Sequence, residues 1–278
     1  MSQAKISETK SASTEKQSVL GIGISPVDYS QAVTAIMTAA VQRRSLAVTA
    51  LAVHGVMTGV LDREHNYRLN SFDLVCPDGQ PVRWALNALH GAKLVDRVYG
   101  PELTLRVCQA CAEREVPIFL FGGTEAMLQS LAGNLTSRFP GLQIAGQRAS
   151  RFRQLEVEER DQLAAEISAS GAGVCFVGLG CPRQETFVFE MRERVSMPML
   201  AVGAAFAFHA GMLPQAPRWM QRVGLEWLYR LSREPRRLWR RYVYLNPAFL
   251  TLLGGQYLGI CRSDTDRGMP PRQQMRFG

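Results

Sequence analysis

The sequence predicts an α/β fold: a mainly parallel sheet with helices on both faces, followed by an arginine-rich helical appendage. Short, continuous apolar runs alternate with longer segments whose apolar residues recur at helical spacing, as in a parallel sheet covered on both faces. The 278 residues are 46% hydrophobic, enough for a full core and too apolar for a disordered chain. Arginine is concentrated near the C-terminus. The arrangement is Rossmann-like.

Seven segments have the continuous apolar character of buried strands: 19–24, 45–51, 72–76, 117–121, 142–145, 173–177 and 198–202. Seven segments with helical spacing lie between or after them: 28–43, 53–70, 82–90, 102–114, 124–138, 157–170 and 183–194. Asp28 and Thr124 are predicted N-caps, because a short oxygen side chain can accept from the free N–H groups of a helix start. Ligands of such sheets bind at the carboxyl ends of the strands.

The composition divides the chain into four parts. Residues 1–17 are polar and lack the apolar core of a signal peptide, so we expect a disordered leader. An α/β domain is expected over 18–211, a basic and aromatic helical appendage that associates with a membrane over 212–260, and a flexible tail over 261–278. No apolar run reaches the ~20 residues that span a bilayer. A cytoplasmic location with reduced thiols is expected.

The net charge of +8 comes mainly from segment 218–241, which holds eight Arg, two Glu and three of the four Trp. The uncharged stretch 243–260 follows, interrupted by Asn-Pro at 246 and Gly-Gly at 254. Arginine beside aromatic residues suits an anionic membrane surface or a nucleic acid. The neighbouring uncharged stretch favours lipid, and a nucleic-acid-binding protein remains the alternative from another class.

Four predicted strand ends carry polar or glycine signals: Thr49 with His54, Pro77-Asp78-Gly79, Gly122-Gly123-Thr124, and the stretch 177–185 of sequence VGLGCPRQE. Glycine at such a turn lets a ligand approach the backbone, and a helix N-terminus favours phosphate. Two such turns in one sheet suggest a nucleotide or nucleotide-sugar, although glycine-rich turns also occur for purely structural reasons. Asp78 fits either a base that accepts a hydroxyl proton or an Asx turn.

Several short motifs, taken in this order, strongly resemble the WecG/TagA/CpsF glycosyltransferase family: Thr49 with His54, PDG at 77–79, DRVYGPE at 96–102, FGG at 121–123, VGLGCPRQE at 177–185, VGAAF at 202–206 and GLEWLYR at 224–230. The resemblance implies a UDP-sugar donor, a polyprenyl-diphosphate-linked sugar acceptor and inversion at the anomeric carbon. It implies no metal and no other cofactor. It also implies a peripheral enzyme at the inner face of the cell membrane, in exopolysaccharide or cell-surface glycan biosynthesis. A homo-oligomer is left open.

By this resemblance Asp78 matches the catalytic base, Thr49 and Arg97 match pocket positions, and Gln184 matches an active-site glutamine. The arginine-rich segment matches an appendage that closes over the donor and docks on the membrane. The remaining residues expected to bind substrate are His54, Gly123, Gly178, Glu185, Arg230 and Arg237.

Three positions depart from the family pattern. Leu51 stands where asparagine is frequent, Ala207 stands where aspartate is usual, and Gln215 replaces an arginine. The sugar pocket is therefore expected to differ from that of an N-acetylmannosamine transferase. The PDGQPV stretch at 77–82 resembles the xanthan-type glucosyltransferase branch, which implies UDP-glucose as donor. Transfer of N-acetylmannosamine or its uronate is the alternative.

Other patterns point elsewhere but weakly. Gly21-x-Gly23 hints at a dinucleotide oxidoreductase, but Pro26 replaces the third glycine of that fingerprint. The one Asp-x-Asp triplet, at 264–266, lies in the polar tail rather than after a strand. Cys108 and Cys111 lie inside a helical pattern without a second pair, which favours two core thiols over zinc. No metal site is expected.

Overall fold

The computed structural model describes residues 15–261, 263–274 and 277–278. Most of the predicted leader, 1–14, lies outside them. Eight strands are described: β1 Gln17–Val19, β2 Ile22–Ile24, β3 Leu46–Leu51, β4 Leu74–Pro77, β5 Ile118–Gly122, β6 Ile144–Arg148, β7 Val174–Gly178 and β8 Pro198–Ala201. Six of them form one parallel sheet in the order β4-β3-β8-β7-β5-β6. The predicted α/β fold with a mainly parallel sheet is confirmed.

The first predicted strand, 19–24, is wrong in detail. The chain instead makes an antiparallel hairpin of β1 and β2 apart from the main sheet. Leu20 and Gly21 form its turn with φ of 55° and 84°, the left-handed geometry that a tight turn requires. A continuous apolar run cannot reveal this, because residues 19–24 are all buried on both sides of the turn. Gly21-x-Gly23 therefore lies in a hairpin, not at a strand-to-helix turn.

Helices cover both faces of the sheet, as predicted. Their bounds are α1 Tyr29–Val41, α2 Val53–Leu61, α3 Arg63–Asn70, α4 Gln80–His90, α5 Gly100–Glu113, α6 Glu125–Arg138, α7 Val157–Ala169, α8 Arg183–Met191 and α9 Ala205–His209. The predicted caps form: Asp28 accepts from the N–H of Gln31, and Thr124 from that of Met127. The predicted helix 53–70 is two helices, because Asp62 caps α3 by accepting from the N–H groups of Glu64 and His65.

Two apolar cores lie on opposite faces of the sheet. Successive residues of β3 contribute to different cores: Ala47 and Leu51 pack on one face and Val48 on the other. Helices α1, α5, α6 and α9 cover the Val48 face, whereas α2, α3, α4, α7 and α8 cover the opposite one. This alternation follows from the two-residue period of a strand, and it leaves the carboxyl ends of the strands at one common edge.

The C-terminal segment 212–260 forms three further helices: α10 Arg218–Arg222, α11 Glu226–Arg233 and α12 Pro235–Tyr257. Helix α12 runs through Asn246-Pro247 and Gly254-Gly255, where a break is predicted. Phe249 of α12 is buried in the core beside α2 and α4, and this packing offsets the hydrogen bond lost at Pro247. Among the helices of the described part of the chain, none is long and apolar enough to cross a bilayer.

The tail after Cys261 makes contacts with the α/β core in its described parts. Ser18 Oγ donates to the carbonyl of Ser263, and Asn70 Nδ2 donates to that of Thr265 at 2.7 Å. At the end of the chain, Ser150 Oγ donates to the carbonyl of Gly278 at 2.6 Å. The triplet Asp264-Thr265-Asp266 lies against α3 and does not line the cavity described next.

Candidate active site

A cavity of about 610 Å³ lies at the carboxyl edge of the sheet. One wall comes from the ends of β3, β4, β7 and β8 and the turns that follow them. The opposite wall comes from the C-terminal segment, through Glu226, Trp227, Arg230, Arg237 and Arg241. A cleft of this size with a few convergent charged groups is the usual form of a small-molecule site.

Asp78 lies in this cavity directly after β4. Its N–H donates to the carbonyl of Leu51 at 3.1 Å, which continues the pairing of β4 with β3 by one residue. Its Oδ2 accepts from the N–H of Gly100 at 3.3 Å, and its side chain is 16% exposed. Burial raises the pKa of Asp78 to about 6, against the opposing effect of Arg97. Asp78 can therefore accept a proton near neutral pH.

Arg97 connects Asp78 with the C-terminal segment. Its Nη1 stands 4.0 Å from Asp78 Oδ1, whereas its Nη2 donates to Glu226 Oε2 at 2.6 Å. The other oxygen of Glu226 accepts from the hydroxyl of Tyr99 at 3.0 Å. Arg97 and Glu226 are both buried. The two walls of the cavity are thus joined by a charged and hydrogen-bonded contact.

Glu185 forms a second buried polar group on the other side of the cavity. Its Oε1 accepts from Thr49 Oγ1 at 3.2 Å and from Gln184 Nε2 at 2.9 Å. Gln184 Oε1 in turn accepts from the N–H of Gly180 at 3.1 Å. Burial raises the pKa of Glu185, and the hydrogen bonds oppose the rise. This network fixes the amide of Gln184 at the turn after β7.

The glycine turns are close-packed as well as open to the cavity. Gly122 and Gly178 are paired between β5 and β7, and a Cβ on Gly122 would lie 2.6 Å from the Gly178 carbonyl oxygen. A Cβ on Gly178 would lie 2.5 Å from the Phe206 ring. Gly123, at φ 66°, lines the cavity beside the N-terminus of α6. The close packing supports the structural interpretation of these turns, and their role in binding a ligand stays a prediction.

The cavity brings together most of the predicted site residues. Those that line it are His54, Asp78, Arg97, Gly123, Gly178, Gln184, Glu185, Arg230 and Arg237. Thr49 does not line it; it is fully buried in β3 and donates a hydrogen bond to Glu185. Burial lowers the pKa of His54 to about 4, with a further contribution from Arg241, so its ring is neutral at pH 7.

Three residues that line the cavity are not among the predicted site residues: Tyr99, Glu226 and Arg241. Tyr99 and Glu226 stand inside motifs that carry the resemblance, and Glu226 is one of only two acids in segment 218–241. The position of Glu226 among arginines could have identified it from the sequence, because an acid in such surroundings indicates a specific partner.

One group of residues in the described chain has metal-ligand spacing. His65, Cys181 and Glu185 each present one ligand atom, and these atoms lie within 4.8 Å of one another. The Asp-x-Asp triplet at 264–266 does not contribute to it. Because Glu185 already accepts from two neutral donors, its role as the centre of a hydrogen-bond network accounts for its geometry.

The charges of the cavity suit a reaction that generates an anion. Five arginines line it, Arg97, Arg183, Arg230, Arg237 and Arg241, against three acids, Asp78, Glu185 and Glu226. Arginine binds phosphate oxygens with two parallel N–H groups, and Asp78 can remove a proton from a nucleophile. A base and an anion-binding wall in one cavity are what a transfer with a phosphate leaving group requires.

Comparison with known proteins gives a family and a set of relatives, two of which are described here. Residues 17–261 match the model of the "Glycosyl transferase WecG/TagA/CpsF family". A protein of Bacillus subtilis (strain 168) named "N-acetylglucosaminyldiphosphoundecaprenol N-acetyl-beta-D-mannosaminyltransferase" is 28% identical over 195 residues, 70% of this chain and 73% of the relative. A protein of the same name from Bacillus spizizenii (strain ATCC 23059 / NRRL B-14472 / W23) is 29% identical over 184 residues, 66% of this chain and 68% of the relative.

Proposed function

Because the chain belongs to the WecG/TagA/CpsF family and is a glycosyltransferase, we propose that it moves a hexose from a UDP-sugar to a polyprenyl-diphosphate-linked sugar. The proposed reaction is an inverting single displacement without a metal. The observation that carries it is the meeting of Asp78 with arginines from the opposite wall in one cavity. The relatives' names supply the class of acceptor, a diphosphoundecaprenol-linked sugar.

In this mechanism Asp78 accepts the proton of the acceptor hydroxyl as its oxygen attacks the anomeric carbon. The bond from that carbon to the UDP oxygen breaks, and negative charge grows on the β-phosphate. Arg230 and Arg237 reach the cavity from the C-terminal segment and stabilise this charge. The glycine turn at Gly123 offers backbone N–H groups to the donor.

The donor sugar is proposed to be a hexose without an N-acetyl group, with UDP-glucose as the first candidate. Leu51 and Ala207, two of the three departures from the family pattern, line the cavity together with Phe208. An apolar side chain in place of an amide, and a methyl in place of a carboxylate, remove hydrogen-bond partners from the sugar. Because the relatives are named as N-acetylmannosaminyltransferases, UDP-N-acetylmannosamine or its uronate is the second candidate.

The decisive experiment offers the purified protein a panel of UDP-sugars and a short-chain lipid-diphosphate sugar, with mass detection of product. The proposal requires the mass of one hexose to be added to the acceptor, and the Asp78→Asn protein must not add it. Addition of an N-acetylhexosamine instead supports the second candidate. Absence of transfer from every UDP-sugar, with salt-sensitive binding of nucleic acid, would contradict the proposal and favour the nucleic-acid-binding alternative.

We also propose that the C-terminal segment holds the enzyme peripherally at the cytoplasmic face of a membrane. Trp219, Trp239 and Tyr244 are 62%, 42% and 64% exposed beside the arginines of segment 218–241. Aromatic rings favour the membrane interface, and each basic residue near an anionic surface contributes about 1 kcal/mol. Several such residues together can hold the protein reversibly at the surface where a polyprenyl acceptor lies.

Point substitutions test the membrane proposal better than removal of the segment, because Phe249 of α12 is part of the core. Trp239→Ser with Tyr244→Ser changes a ring pair whose centroids are 6.4 Å apart. We expect this variant to float far less with anionic vesicles of phosphatidylglycerol. Leu61→Ser on α2, where leucine is 71% exposed, is the matched control and should float as the wild type does. Equal flotation of all three proteins would contradict the proposal.

A further inference from the structure

Arg97 stands between two carboxylates that belong to opposite walls of the cavity. Its Nη2 is 2.6 Å from Glu226 Oε2, a close charged hydrogen bond. Its Nη1 is 4.0 Å from Asp78 Oδ1, which is too far for a hydrogen bond. Arg97 could pair with either acid, but it pairs closely only with Glu226 of the C-terminal segment.

Resting on the proposed function, in which Asp78 is the base, we propose that Glu226 is a positioning residue for the transfer reaction: by holding Arg97 it keeps the guanidinium from pairing closely with Asp78, so the carboxylate stays free to take the acceptor proton.

The contacts around Glu226 show how it fixes Arg97. Both carboxylate oxygens are engaged, one by Arg97 and the other by the Tyr99 hydroxyl. The guanidinium of Arg97 also lies 4.2 Å from the centre of the Tyr99 ring, and its Nη2 donates to Gln221 Oε1 at 3.2 Å. The Tyr99 ring therefore packs against the guanidinium of Arg97, while Gln221 and Glu226 of the C-terminal segment accept its hydrogen bonds. Glu226 is only 8% exposed, so water does not compete for its oxygens.

The charge balance at Asp78 depends on this arrangement. Burial raises the pKa of Asp78, Arg97 and Arg230 lower it, and Glu226 raises it again. The titratable and charged groups that interact with Asp78 are Arg97, Tyr99, Glu226, Arg230, Cys76 and Tyr29. Loss of the Glu226 charge removes one influence that raises the pKa, and it frees Arg97 to approach Asp78 and lower the pKa further. The carboxylate would then be a weaker base.

The test is the pH dependence of turnover in Glu226→Gln, which keeps the shape of the side chain and removes its charge. The wild type should lose activity below about pH 6 as Asp78 is protonated. In Glu226→Gln we expect this acid limb to move down by about one pH unit and kcat at pH 8 to fall about tenfold. The deficit relative to wild type should therefore shrink as the pH falls from 8 to 5.5.

Two control variants isolate the charge of Glu226. Glu226→Asp keeps the charge and should keep the acid limb near its wild-type position. Glu166→Gln removes a partly exposed carboxylate, 3.6 Å from Arg148 and away from the cavity, and should match the wild type throughout.

The outcomes separate this inference from the proposed function. If Asp78→Asn keeps wild-type turnover, the base assignment fails and this inference fails with it. If Asp78→Asn is inactive but Glu226→Gln loses activity equally at every pH, or raises only the donor KM, Glu226 merely docks the segment. That result overturns the positioning role and leaves the proposed function intact. An acid limb that moves upward also overturns it.

Discussion

Asp78 and Glu185 are two carboxylates of the cavity lining, and their surroundings suit them to different roles. Asp78 and Glu185 both follow strand ends, and burial raises the pKa of both. Asp78 faces the cavity with a backbone N–H at one oxygen and a guanidinium 4.0 Å from the other. Glu185 is 1% exposed, and its Oε1 is occupied by neutral donors from Thr49 and Gln184. Desolvation alone therefore does not identify a base; access to the reacting atoms and a charged partner do.

The sharpest test of this comparison is removal of the Asp78 charge. Asp78→Asn should lower kcat by about 10²–10⁴-fold, the usual contribution of a positioned general base. The fold should persist, because the amide can still accept from the N–H of Gly100. Steady-state kinetics with a thermal melt would check both statements. Turnover at the wild-type rate would remove the distinction between the two carboxylates.

The next largest effect is expected on donor binding, at the cavity arginines whose proposed role concerns the reaction at Asp78 and not Glu185. Arg230 and Arg237 line the cavity, and Arg230 also lowers the pKa of Asp78. Replacing either by alanine should raise the donor KM about tenfold or more, because a charged hydrogen bond contributes about 1.5–3 kcal/mol. Arg222→Ala is the control, since Arg222 is exposed on α10 and does not line the cavity. Equal KM values in all the variants would show that the donor binds elsewhere.

A smaller effect is expected at Glu185. Glu185→Gln should reduce kcat by less than about tenfold, because the substituted side chain can still accept from Thr49 and the reacting atoms do not need its charge. The raised pKa of Glu185 means that the folded state binds its proton more tightly than the unfolded state. Stability is therefore lost as pH rises above the ordinary value of 4.5.

Glu185→Gln removes that pH dependence. The melting temperature of the variant minus that of the wild type should thus become more positive between pH 5 and pH 8, by about 2 °C for each kcal/mol. Melts at the two pH values check it. A difference that falls as pH rises would mean that Glu185 is stabilised as a carboxylate, like a paired ion.

The smallest expected effect is that of a chelator. Turnover should be unchanged in a strong chelator, because arginines supply the positive charge that a metal would otherwise provide. In the described chain the group with metal-ligand spacing includes Glu185 but not Asp78. Loss of activity on chelation, restored by Mg²⁺, Mn²⁺ or Zn²⁺, would indicate a catalytic metal at Glu185. The reaction would then depend on Glu185 more than on Asp78.

Sequence patterns predicted most of the sheet and the place of the site. The strands that end at Pro77 and Gly178 are buried on both faces, so their continuous apolar character is unambiguous, and parallel topology then puts both ends at one edge. The hairpin at Leu20 was missed, because neither the spacing of apolar residues nor their burial distinguishes one long buried strand from two short ones. The break at Asp62 was missed too, because only the cap formed by the Asp62 side chain marks the boundary between the two helices.

The site was predicted unevenly for a physical reason. Asp78, Gln184 and Arg97 stand in short motifs, and the family resemblance that these motifs carry singles them out. The contact of Arg97 with Glu226 spans 129 positions of the chain, and no local pattern encodes such a pairing. The same holds for the hydrogen bond from Thr49 to Glu185, 136 positions apart. Charge balance in a site is set by tertiary structure, so the role of Glu226 emerges only from the fold.

A cavity with one wall on the α/β core and the other on the C-terminal segment has a thermodynamic consequence. Any ligand that contacts both walls binds the docked arrangement more tightly than an undocked one, so it must strengthen docking by the factor by which docking strengthens its binding. UDP that bridges Gly123 and Arg237 would therefore slow amide hydrogen exchange in α10, no residue of which lines the cavity. Conversely, whatever draws the segment toward the core raises the affinity for donor. Docking of the segment and binding of the donor are therefore thermodynamically linked.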